Sequence, residues 1–175
     1  MSGHTLYRPA QIPGTPLPLF VWGNGACRDN GLQHGAFLRQ IASHGYVVLA
    51  LGKARAERPM ETPGAPEPEP PPPPPGRPQD ETQPAQMLEA IDWATRENTR
   101  TGSDLAGRID LSRVAVGGHS CGGLQALAVS HDPRIRTTLV LNSGIYVTRQ
   151  GTRSGVAVEK SQLPRLHAPL LYLSG

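Results

Sequence analysis

Residues 114–123 read Val-Ala-Val-Gly-Gly-His-Ser-Cys-Gly-Gly, and this stretch decides the predicted fold. Its first three residues are all apolar, which is typical of a strand that is buried on both faces of a sheet. Paired glycines stand on both sides of the central His-Ser-Cys, and Leu124, Leu127 and Ala128 then fall on one side of a helix. The stretch therefore predicts a buried strand that turns sharply at Ser120 into a helix.

Other short apolar runs along the chain have the same character. They are continuous rather than alternating, and glycine or serine closes most of them, as expected for strands of a parallel sheet that is covered on both faces. Together with the run that leads into Ser120, the five predicted strands are Leu17–Trp22, Tyr46–Leu51, Arg113–Val116, Thr138–Leu141 and Pro169–Leu173.

Helical patterns separate these runs. Asn30 is placed to cap a first helix, with a glutamine three residues later as in a capping box, and Gly45 stands where a C-terminal cap belongs. A second helix is predicted from about Pro84 to Asn98, with Thr82 or Asp80 as its cap. Because strands and helices alternate, the sequence predicts the α/β class, with a mostly parallel sheet and flanking helices in one domain over residues 1–175.

Residues 57–79 interrupt this alternation. They include an unbroken proline run, Pro70–Pro75, which lacks backbone donors and can join neither a helix nor a central strand. We interpret the segment as a proline-rich loop inserted between the second strand and the second helix. The alternative is that it is a ligand for an SH3-like or WW-like domain.

Composition excludes several classes of function. The 175 residues carry a net charge of +3 from scattered basic residues, without the basic cluster of a nucleic-acid-binding protein. No apolar stretch is long enough to span a membrane, and the start lacks the pattern of a signal peptide. Cys27 and Cys121 lack the spacing of a metal site, and no metal or organic cofactor is implied.

The five residues Gly118–Gly122 form the pattern Gly-x-Ser-x-Gly between the predicted strand and the predicted helix. This setting resembles the nucleophile elbow of the α/β-hydrolases, most closely the cutinase-like, polyester-hydrolase-like and chlorophyllase-like esterases. The resemblance implies a partial α/β-hydrolase fold and hydrolysis of a small or polymeric carboxylic ester through an acyl-enzyme, with Ser120 as nucleophile. The resemblance also implies a turn so tight that positions 118 and 122 must be glycine.

The same resemblance implies an oxyanion hole. Its donors would be the backbone N–H of Cys121 and that of Asn24 or Gly25, which follow the first predicted strand. Cys27 also falls near this site, and we expect Cys27 and Cys121 to be reduced, packed thiols, with a disulfide as the alternative. His119 is expected to pack against neighbouring strands rather than to act as a base.

The sequence departs from the family at the acid and the base, which follow the serine in chain order. Downstream of Ser120 the only carboxylates are Asp132 and Glu159, and the only histidines are His131 and His167. His131, Asp132 and His167 are expected at the edge of the sheet opposite the serine. The chain alone is therefore expected to be inactive, with the Asp–His pair of its parent lying beyond residue 175. The alternative is a noncatalytic hydrolase-like module whose proline-rich loop binds a partner. Relatives of the resembling group are often secreted, but the sequence leaves the compartment open.

Overall fold

The computed structural model describes residues 3–55, 81–145 and 156–175. The predicted proline-rich loop and the candidate cap Asp80 lie outside these residues. The described elements are, in chain order, β1 (His4–Tyr7), β2 (Leu17–Gly23), a 3-10 turn (Gly25–Cys27), α1 (Gly35–Ser43), β3 (Val47–Leu51), α2 (Ala85–Thr99), β4 (Ile109–His119), α3 (Cys121–Val129), β5 (Ile135–Leu141), a 3-10 helix (Lys160–Arg165) and β6 (Leu170–Leu173).

The six strands form one sheet in the order β1-β3-β2-β4-β5-β6. All neighbouring pairs are parallel except β1 and β3, which are antiparallel. The predicted α/β class, with a mostly parallel sheet and flanking helices, is confirmed. The sequence analysis missed β1, because its four residues mix polar and apolar side chains and lie at an edge of the sheet.

Helices cover both faces of the sheet. One core joins α2 and α3 to one face, and its members include Leu19, Val21, Met87, Ile91 and Ala126. The other core joins α1 to the opposite face, and its members include Phe20, Trp22, Leu38, Val48 and Ala50. Successive residues of β2 and β3 contribute to opposite cores, which is why both strands are apolar at nearly every position.

The predicted start of α2 near Pro84 is confirmed, whereas the side-chain caps predicted at Asn30 and Thr82 are wrong. Asn30 does not begin α1, because its Oδ1 accepts a hydrogen bond from the Leu32 amide at 3.1 Å and forms a separate turn. The helix begins five residues later, at Gly35, without a side-chain cap. Thr82 does not cap α2 either, because its hydroxyl donates to the carbonyl of Cys27. Gly45, with φ of 89°, does follow the end of α1 as predicted.

Strand β6 is the least covered element of the sheet. All four of its side chains, Leu170 to Leu173, are exposed, with exposed fractions of 37 to 55%. Apolar edge strands of this kind are prone to pair with other chains. Among residues 3–55, 81–145 and 156–175, no helix has the length and apolar character needed to cross a membrane.

Candidate active site

The loops that follow β2 and β4 leave the sheet side by side. The two strands are parallel neighbours, and Gly23 pairs with Gly118 near their carboxyl ends. Because β3 lies on the other side of β2, the chain order changes direction between β2 and β4. Ligands of open parallel sheets bind outside the carboxyl ends of the strands at such a point. The topology therefore predicts a ligand-binding site at the edge that carries Ser120.

Ser120 occupies the single position between the end of β4 and the start of α3. Its φ of 52° and ψ of −118° are rarely adopted by a residue with a side chain, and such backbone strain costs about 1–3 kcal/mol. The Ser120 amide donates to the Leu141 carbonyl at 2.9 Å, which ties the turn to the end of β5. The side chain is exposed and does not cap α3. Its hydroxyl is thus accessible at a helix N-terminus, where the helix dipole favours negative charge.

The backbone around Ser120 is too crowded for side chains at the flanking glycines. A Cβ atom on Gly118 would lie 2.2 Å from the carbonyl carbon of Gly122. A Cβ atom on Gly122 would lie 2.0 Å from the carbonyl oxygen of Gly23, and one on Gly123 would lie 2.6 Å from Cβ of Ser143. The close approach of β2, the turn and α3 therefore requires glycine at positions 118 and 122, and the loop after β5 leaves no room for a side chain at position 123.

Asn24 connects the loop after β2 to the end of β3. Its side chain is fully buried, and Nδ2 lies 2.7 Å from the Leu51 carbonyl and 3.0 Å from the carbonyls of Arg28 and Asn30. Its backbone nitrogen lies 2.8 Å from the position of a Cβ atom on Gly122, so this amide approaches the first turn of α3. The structure thus brings the Asn24 amide to the same edge as Ser120, and its role as an oxyanion donor stays a prediction.

Gly25 and Cys121 also lie at this edge. Gly25 begins the 3-10 turn after β2, and a Cβ atom there would lie 2.9 Å from Nδ1 of His119. Cys121 is the first residue of α3, and the first amides of a helix have no carbonyl partner within it. The Gly25 amide therefore lies in the loop after β2 and the Cys121 amide at the start of α3, as the predicted oxyanion hole requires.

The expectation that Cys27 and Cys121 are reduced thiols is wrong. Their sulfurs form a disulfide, with the two Cα atoms 5.2 Å apart and a sequence separation of 94 residues. Both side chains are buried beside Leu124 and Val156. The carboxyl ends of β2 and β4 lie next to each other, and this proximity brings the two cysteines within bonding distance.

The His119 ring packs against the loop after β2 and the start of α1. Its centroid lies 5.3 Å from that of His34, which in turn lies 5.4 Å from that of Trp22. Nδ1 of His119 is buried, with no hydrogen-bond partner among the residues that the structure describes. His119 therefore packs as expected, but its ring contacts lie in the loop after β2 and just before α1 rather than on a neighbouring strand.

The other candidate acids and bases make contacts elsewhere in the protein. His167 Nε2 lies 3.1 Å from the carbonyl of Ile135, the first residue of β5, whereas Ser120 contacts the last residue of that strand. A strand of this length separates the two by roughly 20 Å. His131 is exposed beside the same amino-terminal end of β5. Glu159 caps the 3-10 helix over Lys160–Arg165.

Asp132 forms an ion pair rather than a catalytic dyad. Its carboxylate accepts hydrogen bonds from Nε and Nη2 of Arg134 at 2.9 and 2.8 Å. The hydrogen bond from the Arg134 side chain lowers the pKa of Asp132. Arg134 also binds Asp92 on α2, so the cluster joins α2 to the start of β5.

We expect Asp132→Asn to lower the free energy of unfolding at pH 7 by about 1–2 kcal/mol, because the charged hydrogen bonds are lost. The folded-state pKa lies below the unfolded value. The stabilisation is therefore complete above about pH 4 and is lost as the pH falls through the folded-state pKa. Urea unfolding at pH 7 and pH 3 should show a smaller difference from wild type at pH 3.

Asp104→Asn is the matched control. The Asp104 side chain is 82% exposed and lies 3.5 Å from Arg8, so its removal should change stability little at either pH. A difference between wild type and Asp132→Asn that stays constant with pH would contradict the proposed role of the Asp132 charge.

Sequence reasoning missed the contacts of Thr82 and Gln125. Gln125 is fully buried in the middle of α3, and its Nε2 donates to the carbonyl and hydroxyl of Thr82 at 2.6 and 3.0 Å. Thr82 in turn donates to the Cys27 carbonyl from its amide at 2.7 Å and from its hydroxyl at 3.0 Å. The available signal was a glutamine within an otherwise apolar helix, since buried polar side chains need partners.

Comparison with known proteins identifies no family. No model of a known protein family matches the chain, and no curated protein matches it significantly.

Proposed function

We propose that the chain carries the nucleophile and the oxyanion donors of a serine hydrolase that acts on carboxylic esters. Ser120 would attack the ester carbonyl and form an acyl-enzyme. Backbone N–H groups of Cys121 and of Asn24 or Gly25 would bind the oxyanion that develops. No cofactor takes part in this chemistry.

The observation that carries the proposal is the strained backbone of Ser120. A serine with φ of 52° between a parallel strand and a helix, flanked by glycines that tolerate no Cβ atom, is costly to maintain. Strained residues persist where the surrounding structure holds them, and they cluster at functional sites. The strain holds the Ser120 hydroxyl exposed at the switch point of the sheet and at a helix N-terminus. A nucleophile at this position would reach a bound substrate.

The proposal also requires an acid and a histidine base. His131, Asp132 and His167 lie at the amino-terminal end of β5, far from Ser120. The base would therefore come from residues other than these three. A serine without its base is a weak nucleophile, and triad enzymes that lose one member keep only about 10³–10⁴-fold of rate over water. The chain alone should hydrolyse p-nitrophenyl acetate no faster than this residual level.

The test is covalent labelling of Ser120 by a fluorophosphonate probe. We expect slow labelling of the folded chain at Ser120, detected by mass spectrometry of the peptide, and none in Ser120→Ala. Ser130→Ala is the control, because this serine directly follows the last residue of α3, is buried and donates to the Leu127 carbonyl. Labelling that is equal in wild type and Ser120→Ala would contradict the proposal.

The second candidate function is a noncatalytic module whose proline-rich segment binds a partner. The placement of His131 and His167 away from Ser120 favours it. It predicts no labelling of Ser120, together with binding of the chain to an SH3 or WW domain that is lost when residues 70–75 are replaced by alanine.

A further inference from the structure

The loop that follows β2 is held in a strained conformation. Ala26 and Cys27 have φ of 54° and 49°, so two successive residues with side chains adopt the left-handed region. Each such residue costs on the order of 1 kcal/mol or more, and neither is a glycine. Short-range hydrogen bonds, from the Cys27 amide to Asn24 and from the Arg28 amide to Gly25, close the turn. Contacts from outside the loop must hold this conformation.

Three contacts from outside the loop converge on Cys27. Its sulfur is bonded to Cys121, and its carbonyl accepts hydrogen bonds from both the amide and the hydroxyl of Thr82. Thr82 is itself held by Nε2 of Gln125. A covalent and a hydrogen-bonded connection thus run from the same strained residue to α3.

The two connections end on the same side of α3. Cys121 and Gln125 are four residues apart, which places them one above the other on a helix. Cys121 directly follows Ser120, so the connections attach the loop to the helix that begins at the serine. The four residues that make these connections are buried, and hydrogen bonds between them are stronger than in water because the dielectric constant is low. They are Cys27, Thr82, Cys121 and Gln125.

We propose that the Cys27–Cys121 disulfide, Thr82 and Gln125 form a loop clamp that positions the amides of Asn24 and Gly25 relative to Ser120. Thr82 and Gln125 are then positioning residues, since they act through the loop and not on the substrate. The consequence for rate rests on the proposed function. Oxyanion donors act only from a narrow range of distances, and a displacement of about 1 Å can cost a hundredfold in rate.

The test compares Thr82→Val with Thr82→Ser in the full chain. Valine keeps the shape of the side chain and removes the hydroxyl, whereas serine keeps the hydroxyl. We expect Thr82→Val to raise the exchange rates of the Cys27 and Arg28 amides about tenfold and to slow fluorophosphonate labelling of Ser120 by a similar factor. Gln125 and the Cys27 carbonyl each lose the hydroxyl as a buried partner and keep only their hydrogen bond to the backbone of residue 82. Thr82→Ser should restore both rates.

A purely structural role makes a different prediction. Thr82→Val would then lower the melting temperature and raise exchange throughout the core, including β3, without a selective effect at Cys27 and Arg28. Exchange in the loop that stays within twofold of wild type would overturn the proposed clamp.

The two readouts also separate this inference from the proposed function. If Ser120 of the wild type is not labelled above Ser120→Ala, the proposed function fails. Amide exchange then still decides whether Thr82 and Gln125 hold the loop.

Discussion

We expect Gly122→Ala to lower the free energy of unfolding by about 3 kcal/mol, because the added methyl group collides with backbone rather than with a side chain that can move. Its Cβ would lie 2.0 Å from the carbonyl oxygen and 2.1 Å from the carbonyl carbon of Gly23. Relief requires β2 to separate from α3. Thermal unfolding followed by circular dichroism should show a decrease of about 10 °C in Tm.

Gly14→Ala is the control for this variant. A Cβ atom on Gly14 would have Arg108 Nη1 at 3.7 Å as its nearest neighbour, which is ordinary van der Waals contact. The substitution should leave the Tm unchanged or raise it slightly, because alanine restricts the unfolded chain. If both variants have the same Tm as the wild type, β2 and α3 do not approach closely enough to exclude a side chain at position 122.

The second large effect concerns the disulfide. The Cys27→Ala/Cys121→Ala double variant should lose about 2–5 kcal/mol of stability, because the bond closes a long loop and restricts the unfolded chain. The two cysteines are 94 residues apart in sequence. Urea unfolding of the wild type and the double variant, without reductant, measures this difference.

Alkylation provides an independent check on the disulfide. Wild-type protein denatured without reductant should take up no iodoacetamide, and after reduction it should take up two equivalents. The stability of the double variant should not depend on reductant. Uptake of two equivalents without reductant would mean that Cys27 and Cys121 are thiols after all, as the sequence analysis expected.

Strands β2 to β6 were predictable because each contains a continuous apolar run. The predicted bounds of β2 and β3 differ from the observed bounds by one residue, whereas β4 begins at Ile109 rather than Arg113. Its first residues pair with Leu17 and Pro18, and the register then shifts before Leu19. Such an irregular extension depends on the neighbouring strand and leaves no periodic pattern in the sequence.

The capping side chains were harder to predict because hydrogen-bonding side chains have competing partners. Asn30 and Thr82 are residue types that cap helices. Asn30 instead accepts from Leu32 two residues later, and Thr82 binds Cys27, 55 residues away. The residue type predicts that the side chain will form a hydrogen bond with a backbone group. Only the surrounding fold decides which backbone group that is.

By itself the sequence determined the α/β class, the buried strands and the position of Ser120 between β4 and α3, because local patterns of apolar residues and glycines suffice for these. The tertiary structure alone decided the partners of Cys27, Thr82 and Gln125. These depend on contacts between residues that are 43 to 94 positions apart in the chain. Such contacts follow from the order of strands in the sheet, which brings the ends of β2 and β4 together and leaves the amino-terminal end of β5 at the opposite edge.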